Sequence, residues 1–186
     1  MVLVVLMVLG GVALGYLRGG RLRNLGATPL RWPALAGIAL TGQIALTAPA
    51  SPGGLLRTLT LVGISAALVG FAWKNRTLPG MGLMLLGFML NATVIAVNNG
   101  MPVSPAALAA IGENQAPIHS SRHRLLKPGD RLGLLADVLP IPALGSIYSI
   151  GDLTVAAGMG TLMTNLMRPG VGGAATSKSL PSARQG

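Results

Sequence analysis

The chain has four acidic side chains, and all of them lie in one stretch of the sequence. They are Glu113, Asp130, Asp137 and Asp152. Asp152 falls within an apolar segment, and Asp137 precedes it in a second apolar run that prolines interrupt. A carboxylate inside a membrane span costs roughly 2.5–3.5 kcal/mol on insertion scales, so such a residue is a candidate for function.

Two carboxylates brought together at a membrane surface can perform acid–base chemistry. Both cannot ionise readily, so the pKa of one rises and the pair supplies one acid and one base for activating a water. This predicts a catalytic dyad of Asp137 and Asp152 if the protein is a hydrolase. The alternatives are a path for an ion or a proton, and a structural role. In the structural role, the partners of Asp152 would be Arg131, Arg57, Asn91, Asn98 or Ser149.

Metal and cofactor chemistry has little support in the sequence. His119 and His123 are four residues apart and would share a helix face, where Glu113 could complete a weak metal site. The sequence around them, Ser-Ser-Arg-His-Arg, favours a solvated basic loop instead. There is no cysteine, which excludes disulfides, thiolate ligands and a cysteine nucleophile. We therefore expect neither a metal nor a cofactor.

Side-chain amides supply the remaining candidate binding residues. Gln43 and Asn91 fall inside apolar runs, where hydrogen bonds between helices are favoured over the lining of a pathway. Asn98, Asn99 and Arg131 lie in the polar region that follows, and we predict binding roles for them together with Asn91.

The composition indicates that part of the protein surface faces lipid rather than water. Of its 186 residues, 51% are hydrophobic and 10% charged, with a mean hydropathy of +0.64, whereas soluble domains have about 25% charged residues. The net charge of +10 does not indicate nucleic-acid binding, because the bases are dispersed at the ends of apolar runs and few aromatic residues accompany them. The expected partners are the lipid bilayer and other membrane proteins.

The apolar runs predict an all-α, polytopic membrane protein of about five transmembrane helices. The expected spans are residues 2–17, 33–49, 55–73, 81–97 and 145–167. Bases follow the first run rather than precede it, which is the reverse of a cleavable signal peptide. Gly11 and Gly15 place small residues on one face of this run, as is typical of helices that pack closely.

Residues 98–144 form an outer segment between the last two spans. Ser104 is predicted to cap a short helix that begins at Pro105. Residues 132–144 are apolar but too short and too proline-rich to span, so we expect a re-entrant or interfacial segment. Residues 171–186 are rich in Gly, Ala and Ser and are predicted to form a flexible cytoplasmic tail.

The distribution of bases predicts an orientation in the membrane, with the N-terminus outside and the C-terminus in the cytoplasm. Cytoplasmic loops carry an excess of Lys and Arg. The inner side would carry Arg18, Arg21, Arg23, Arg31, Lys74, Arg76, Arg168, Lys178 and Arg184. The outer side would carry Arg57, Arg122, Arg124, Lys127 and Arg131, together with all four acids.

Three short motifs carry a resemblance that covers most of the chain. They are Asn-Asn-Gly-Met-Pro-Val at 98–103, Leu-Ala-Asp-Val-Leu-Pro at 135–140 and Ser-Ile-Gly-Asp at 149–152. With them the chain resembles an uncharacterised family of small multi-spanning bacterial membrane proteins, a domain of unknown function. The resemblance implies an integral protein of the bacterial cytoplasmic membrane and no particular activity.

A shorter stretch, from Asp130 to about Gly158, resembles the C-terminal part of the lipoprotein signal peptidases. Gly-Leu-Leu-Ala-Asp-Val at 133–138 is similar to the first catalytic-aspartate motif of that family, and Tyr-Ser-Ile-Gly-Asp at 148–152 to the second. The resemblance implies Asp137 and Asp152 as the catalytic pair. Ser149 replaces the asparagine of the family motif, and a polar loop replaces the helices that separate its asparagine motif from its first aspartate.

The sequence leaves three hypotheses for the function. The first is a non-catalytic membrane subunit or accessory protein that packs with a larger membrane complex. The second is a membrane aspartic peptidase or other hydrolase that uses Asp137 and Asp152. The third is a small transporter or channel with a polar path past Gln43, Asn91 and Asp152.

Overall fold

The computed structural model describes residues 2–46, 54–113 and 123–168, and it is mostly helical. The α-helices are Val2–Leu17 (α1), Pro33–Ala45 (α2), Gly54–Lys74 (α3), Met81–Asn98 (α4), Pro105–Ala110 (α5) and Ile150–Leu166 (α6). The strands are Met101–Val103 (β1), His123–Leu125 (β2), Leu139–Ile141 (β3) and Ser146–Tyr148 (β4). Short 3-10 turns occupy Leu22–Ala27, Gly133–Leu135 and Pro142–Leu144.

The strands correct the expectation of an all-α fold for the outer segment and for the first residues of the predicted fifth span. Strand β1 pairs in parallel with β2, and β3 pairs antiparallel with β4. Prolines at positions 102 and 140 favour extended backbone before them, and the extended segments satisfy their N–H and C=O groups by pairing with one another. The predicted short helix is confirmed as α5, with the Ser104 hydroxyl accepting a hydrogen bond from the N–H of Ala107 at 3.3 Å.

The five longer helices alternate in direction. Helix α1 runs parallel to α6, since the N–H of Leu3 donates to the hydroxyl of Tyr148 at one end and the N–H of Arg21 donates to the carbonyl of Met167 at the other. Helices α2 and α4 run the opposite way to α3. Arg31 before α2 contacts Asn75 after α3, and Thr58 near the start of α3 contacts Asn99 after α4. Two groups of helix ends result. The basic end comprises residues 18–31, 74–80 and 167–168, and the acidic end comprises residues 98–113 and 123–152.

Helix α6 lies between α1 and α4 and meets both at glycines. A Cβ on Gly80 would overlap the carbonyl oxygen of Gly158, and a Cβ on Gly11 would overlap that of Gly160. The hydroxyl of Thr164 also donates to the carbonyl of Gly11 at 2.9 Å. The small residues expected to pack helices therefore do so within the chain.

Two boundaries differ from the predicted spans. Helix α6 begins at Ile150 rather than at residue 145, because residues 146–148 form β4 and Ser149 caps the helix. Helix α2 ends at Ala45 rather than at residue 49, and residues 47–53 lie outside the described part of the chain. The predicted tail, residues 171–186, also lies outside it.

Two of the described helices are long and apolar enough to cross a membrane, α3 from Leu55 to Lys74 and α4. Helices α1 and α2 are apolar but shorter. Length and composition of this kind give weak support for membrane association, since the core helix of a soluble protein has the same properties. Large apolar side chains are nevertheless exposed along the helices, including Leu55 at 74% and Ile44 at 62%.

Candidate functional site

Asp152 lies in the first turn of α6, where it forms a capping box with Ser149. The Ser149 hydroxyl accepts from the N–H of Asp152 at 3.0 Å, and Oδ2 of Asp152 accepts from the N–H of Ser149 at 3.2 Å. Two backbone donors that the helix cannot satisfy internally are thus paired. The predicted span of residues 145–167 places Asp152 further inside a helix than it is, because the helix starts only after Ser149.

Asn91 of α4 joins this capping box to a second helix. Its Nδ2 donates to Oδ1 of Asp152 at 2.7 Å, and its Oδ1 accepts from the hydroxyl of Ser149 at 2.9 Å. Asn91 is 7% exposed and Ser149 fully buried, whereas Asp152 is partly exposed. We call Asn91, Ser149 and Asp152 the interhelical polar cluster. Its hydrogen bonds are those that the structural interpretation of Asp152 requires.

Glycines on both helices make this cluster possible. A Cβ on Gly87 would lie 2.5 Å from the carbonyl oxygen of Gly151, and a Cβ on Gly151 would overlap the amide oxygen of Asn91. Side chains at these positions would push α4 and α6 apart. The close approach of the helices brings a short asparagine side chain within reach of the aspartate.

Asp137 lies in a different environment, against β1 and β2. Its N–H donates to the carbonyl of Pro102 and its carbonyl accepts from the N–H of Ser104, both at 3.0 Å, so its backbone pairs with β1. Its side chain is buried, and Oδ2 lies 3.4 Å from Nε2 of His123 on β2. The sequence does not bring these two residues together, since strand pairing alone places His123 beside Asp137.

The two aspartates belong to the same end of the molecule. The β3–β4 hairpin connects them, with Leu139 opposite Tyr148. Asp152 contacts α4 through Asn91, and Asp137 contacts β2 through His123. A water shared between the two carboxyl groups, which the catalytic dyad requires, stays a prediction.

Asn98 fixes the position of Arg131. Its Oδ1 accepts from the N–H of Arg131 at 2.9 Å, and its Nδ2 donates to the carbonyl of Arg131 at 2.8 Å and to that of Val94 at 3.0 Å. The side-chain amide of Asn98 thereby makes hydrogen bonds to both backbone groups of Arg131, as the backbone of a neighbouring β-strand would. The side chain of this predicted binding residue is therefore engaged in holding the outer segment against the end of α4.

Asn75 makes the same arrangement at the basic end, and the sequence analysis does not single it out. Its Oδ1 accepts from the N–H of Arg31 at 2.8 Å, and its Nδ2 donates to the carbonyls of Arg31 at 2.9 Å and Phe71 at 2.8 Å. The signal in the sequence is an asparagine at the end of an apolar run, which Asn75 and Asn98 share. Asn75 also lies directly between two bases, Lys74 and Arg76.

Asn99 ends α4 in the left-handed conformation, with a φ of 53°. Its carbonyl accepts from Nη2 of Arg57 at 2.6 Å, and its Oδ1 accepts from the hydroxyl of Thr58 at 3.0 Å. These contacts hold the beginning of α3 against the end of α4. Arg57, one of the expected partners of Asp152, donates to this carbonyl.

A bidentate ion pair anchors the loop after β2. The guanidinium of Arg124 donates to both oxygens of Asp130 at 2.8 and 2.7 Å, and the N–H of Lys127 donates to Oδ2 of Asp130 at 2.7 Å. The hydrogen bonds from Arg124 and then from Lys127 lower the pKa of Asp130 from 3.8 to about 2. The hydrogen bonds with Asp130 in turn raise the pKa of Arg124.

Within residues 2–46, 54–113 and 123–168, no three His, Asp or Glu side chains are grouped so as to hold a metal ion. His119 lies outside these residues, so the site considered for His119, His123 and Glu113 stays untested.

The fold and the cluster together define a mostly helical protein with two candidate membrane-spanning helices and a hydrogen-bonded outer segment. The chain belongs to DUF5317, a family of unknown function, which matches residues 28–164. This confirms the resemblance to an uncharacterised family. No curated protein and no solved structure matches the chain.

Proposed function

We propose that this protein is a non-catalytic integral membrane subunit that spans the bacterial cytoplasmic membrane five times and packs with a larger membrane complex. The alternating directions of α1, α2, α3, α4 and α6 support five crossings. The exposed apolar side chains of α2 and α3 support a lipid environment, because in water such surface would favour aggregation.

The proposed orientation places the basic end in the cytoplasm and the acidic end outside. The described bases of the basic end are Arg18, Arg21, Arg23, Arg31, Lys74, Arg76 and Arg168, and no acidic side chain of the chain accompanies them. The acidic end has fewer described bases and all four acids. This asymmetry is what the positive-inside rule requires.

A groove between α3 and α4 is the observation that carries the proposal of a partner. Its volume is about 240 Å³, and its wall is almost entirely apolar. Small residues line much of it, including Ser65 and Ala66 of α3 and Ala92 and Ala96 of α4. Small residues allow transmembrane helices to approach closely, so the groove suits a transmembrane helix of the partner.

The polar residues of the acidic end support a structural rather than a catalytic role. Oδ1 of Asp152 accepts a hydrogen bond from Asn91 of α4, and Oδ2 accepts one from the N–H of Ser149 within the cap of α6. Asn98 and Asn99 are likewise engaged with the outer segment and α3. Their hydrogen bonds hold in place the helices that form the groove.

Extraction of a tagged protein from its native membrane in mild detergent tests the proposal. We expect a stoichiometric membrane protein to accompany it. Ala66→Trp fills the groove and should abolish this association, whereas Ala157→Trp adds the same bulk at an exposed position of α6 and should leave it intact. A chain that purifies alone, or one whose partner is retained by both variants, contradicts the proposed role of the groove.

A membrane aspartic hydrolase is the second candidate, and the contact of buried Asp137 with His123 is the observation that favours it. A carboxylate beside an imidazole is an acid–base pair, and Asp152 lies at the same end of the molecule. Loss of function in cells on Asp137→Asn, with an unchanged amount of folded protein, would support this candidate. The third hypothesis, a transporter, requires ion or solute flux in proteoliposomes that Asp152→Asn abolishes.

A further inference from the structure

Two tryptophans at the basic end each lie beneath a cation. Nζ of Lys74 is 4.4 Å from the ring centroid of Trp32, and the guanidinium carbon of Arg76 is 4.4 Å from that of Trp73. Both indoles are more than half exposed, at 58% and 53%. They are the two tryptophans of the whole chain, so every indole of this protein lies in one place.

Asn75 holds together the two loops that carry these residues, one before α2 and one after α3. Its side chain is 2% exposed and pairs with both backbone groups of Arg31. Since Asn75 lies between Lys74 and Arg76 in the chain, three bases converge around one buried amide. We call Arg31, Trp32, Trp73, Lys74 and Arg76 the Trp–base cluster.

The cluster has no acidic side chain of this chain within reach. All four acids belong to the acidic end. Asp152, in the first turn of α6, is about 20 Å along the helix axis from Leu166, where α6 ends beside the basic end. A cation–π contact does not neutralise charge. One N–H of Arg76 donates to the carbonyl of Trp73 at 2.9 Å, and the guanidinium and ammonium groups carry further N–H donors. Within the described residues no acidic side chain supplies a counter-anion for these bases, so the cluster can accept an external one.

We propose that the Trp–base cluster binds the phosphate headgroup of an anionic phospholipid. The inference rests on the membrane placement proposed above. Indoles favour the boundary between headgroups and acyl chains, and Arg pairs with phosphate through two parallel hydrogen bonds. The attraction of a single base to an anionic membrane surface corresponds to about a fivefold change in an equilibrium constant. The cluster combines the anchors of the interface with the donors for the headgroup.

Tryptophan fluorescence tests this site directly, because both indoles belong to it. The protein is reconstituted into bilayers of phosphatidylcholine with a minor fraction of phosphatidylglycerol. In one preparation, brominated acyl chains are carried by the phosphatidylglycerol, and in the other by an equal mole fraction of phosphatidylcholine. Bromine quenches nearby indoles, so random mixing of the lipids gives equal quenching.

We expect the labelled phosphatidylglycerol to quench more strongly, as about a fivefold local enrichment would produce, and the excess to shrink as ionic strength rises. The variant Arg31→Gln/Lys74→Gln/Arg76→Gln should lose the excess. The control Arg18→Gln/Arg21→Gln/Arg23→Gln removes the same charge from the same end and should retain it. The comparison of labels on the unaltered protein, with its salt dependence, carries the test even if the variant does not fold.

The failures of the two proposals are distinguishable. Equal quenching by both labels overturns the headgroup site and leaves the membrane placement standing. Absence of quenching by either label means that the indoles do not face lipid, which contradicts the membrane placement at this end. Loss of the excess in the control variant as well shows that general charge at the basic end, rather than the Trp–base cluster, attracts the lipid.

Discussion

Exchanging the two polar side chains that join α4 to α6 tests the interhelical polar cluster. Asp152 accepts on both oxygens, from Asn91 and from the N–H of Ser149. In Asp152→Asn only one oxygen remains, and the new amide nitrogen faces a donor in either orientation. In Asn91→Asp a second carboxylate faces Asp152. The double exchange restores a donor opposite every acceptor, because the Asn at 152 donates to the Asp at 91, whose other oxygen accepts from Ser149.

The magnitudes follow from the bonds lost. A hydrogen bond to a charged group contributes about 1.5–3 kcal/mol, and we take the lower part of this range because Asp152 is partly exposed. Each single variant should therefore lose about 1.5–2 kcal/mol. For a protein of this size that corresponds to a fall in Tm of about 3–8 °C. The double variant should lie within about 1 kcal/mol of the native protein, the remainder reflecting a carboxylate moved from the first turn of α6.

Thermal unfolding in detergent, followed by far-ultraviolet circular dichroism, measures these differences. The double-mutant cycle should give a coupling energy of about 2 kcal/mol or more in favour of the exchange. Additive losses, with the double variant the least stable of the three, would refute the hydrogen-bonding scheme. The exchange also separates structure from catalysis, since a hydrolase that needs a carboxylate at 152 would regain stability without regaining function.

Three further predictions concern packing, acidity and orientation. Gly87→Leu should cost about 3 kcal/mol or more in unfolding experiments because its side chain meets the backbone of α6, whereas Gly82→Leu on the same helix meets no neighbour within 4 Å and should change stability by less than about 0.5 kcal/mol. Folding lowers the pKa of Asp130 to about 2. The stability it contributes should thus be complete above about pH 4 and disappear as the pH falls towards 2, and Asp130→Asn should remove that dependence from the hydrogen exchange of residues 123–131. In intact cells, a membrane-impermeant maleimide should label Leu134→Cys but label Thr77→Cys only after permeabilisation, and the reverse pattern would contradict the orientation.

Local signals in the sequence predict much of this fold. Apolar runs locate α1, α3 and α4 closely, and the serine–proline pair at 104 and 105 predicts α5 as observed. The start of α6 is harder, since the apolar run continues upstream through Ile147 and hydrophobicity alone does not separate a short strand from a helix. Ser149 followed three residues later by Asp152 is a capping signature, and it marks the true start.

Contacts between distant segments are the part that the sequence does not predict. His123 reaches Asp137 because β2 pairs with β1, and nothing near either residue specifies that pairing. The hydrogen bonds of Asn91 with Ser149 and Asp152 are among the alternatives that the sequence leaves open. Choosing among those alternatives requires knowing that Gly87 and Gly151 bring α4 and α6 together.

The parallel contact of α1 with α6 imposes an order on biosynthesis. During translation α1 emerges first and α6 is the last of the described helices to follow, yet α6 fills the space between α1 and α4. Until it arrives, the carbonyl of Gly11 and the amide of Asn91 lack the partners that they have in the finished protein. The face of α1 that packs against α6 therefore stays uncovered through the synthesis of every intervening segment. The last of the described helices completes this packing, and a chain that stalls in the outer segment leaves two glycine-lined helix faces open to contact with other proteins.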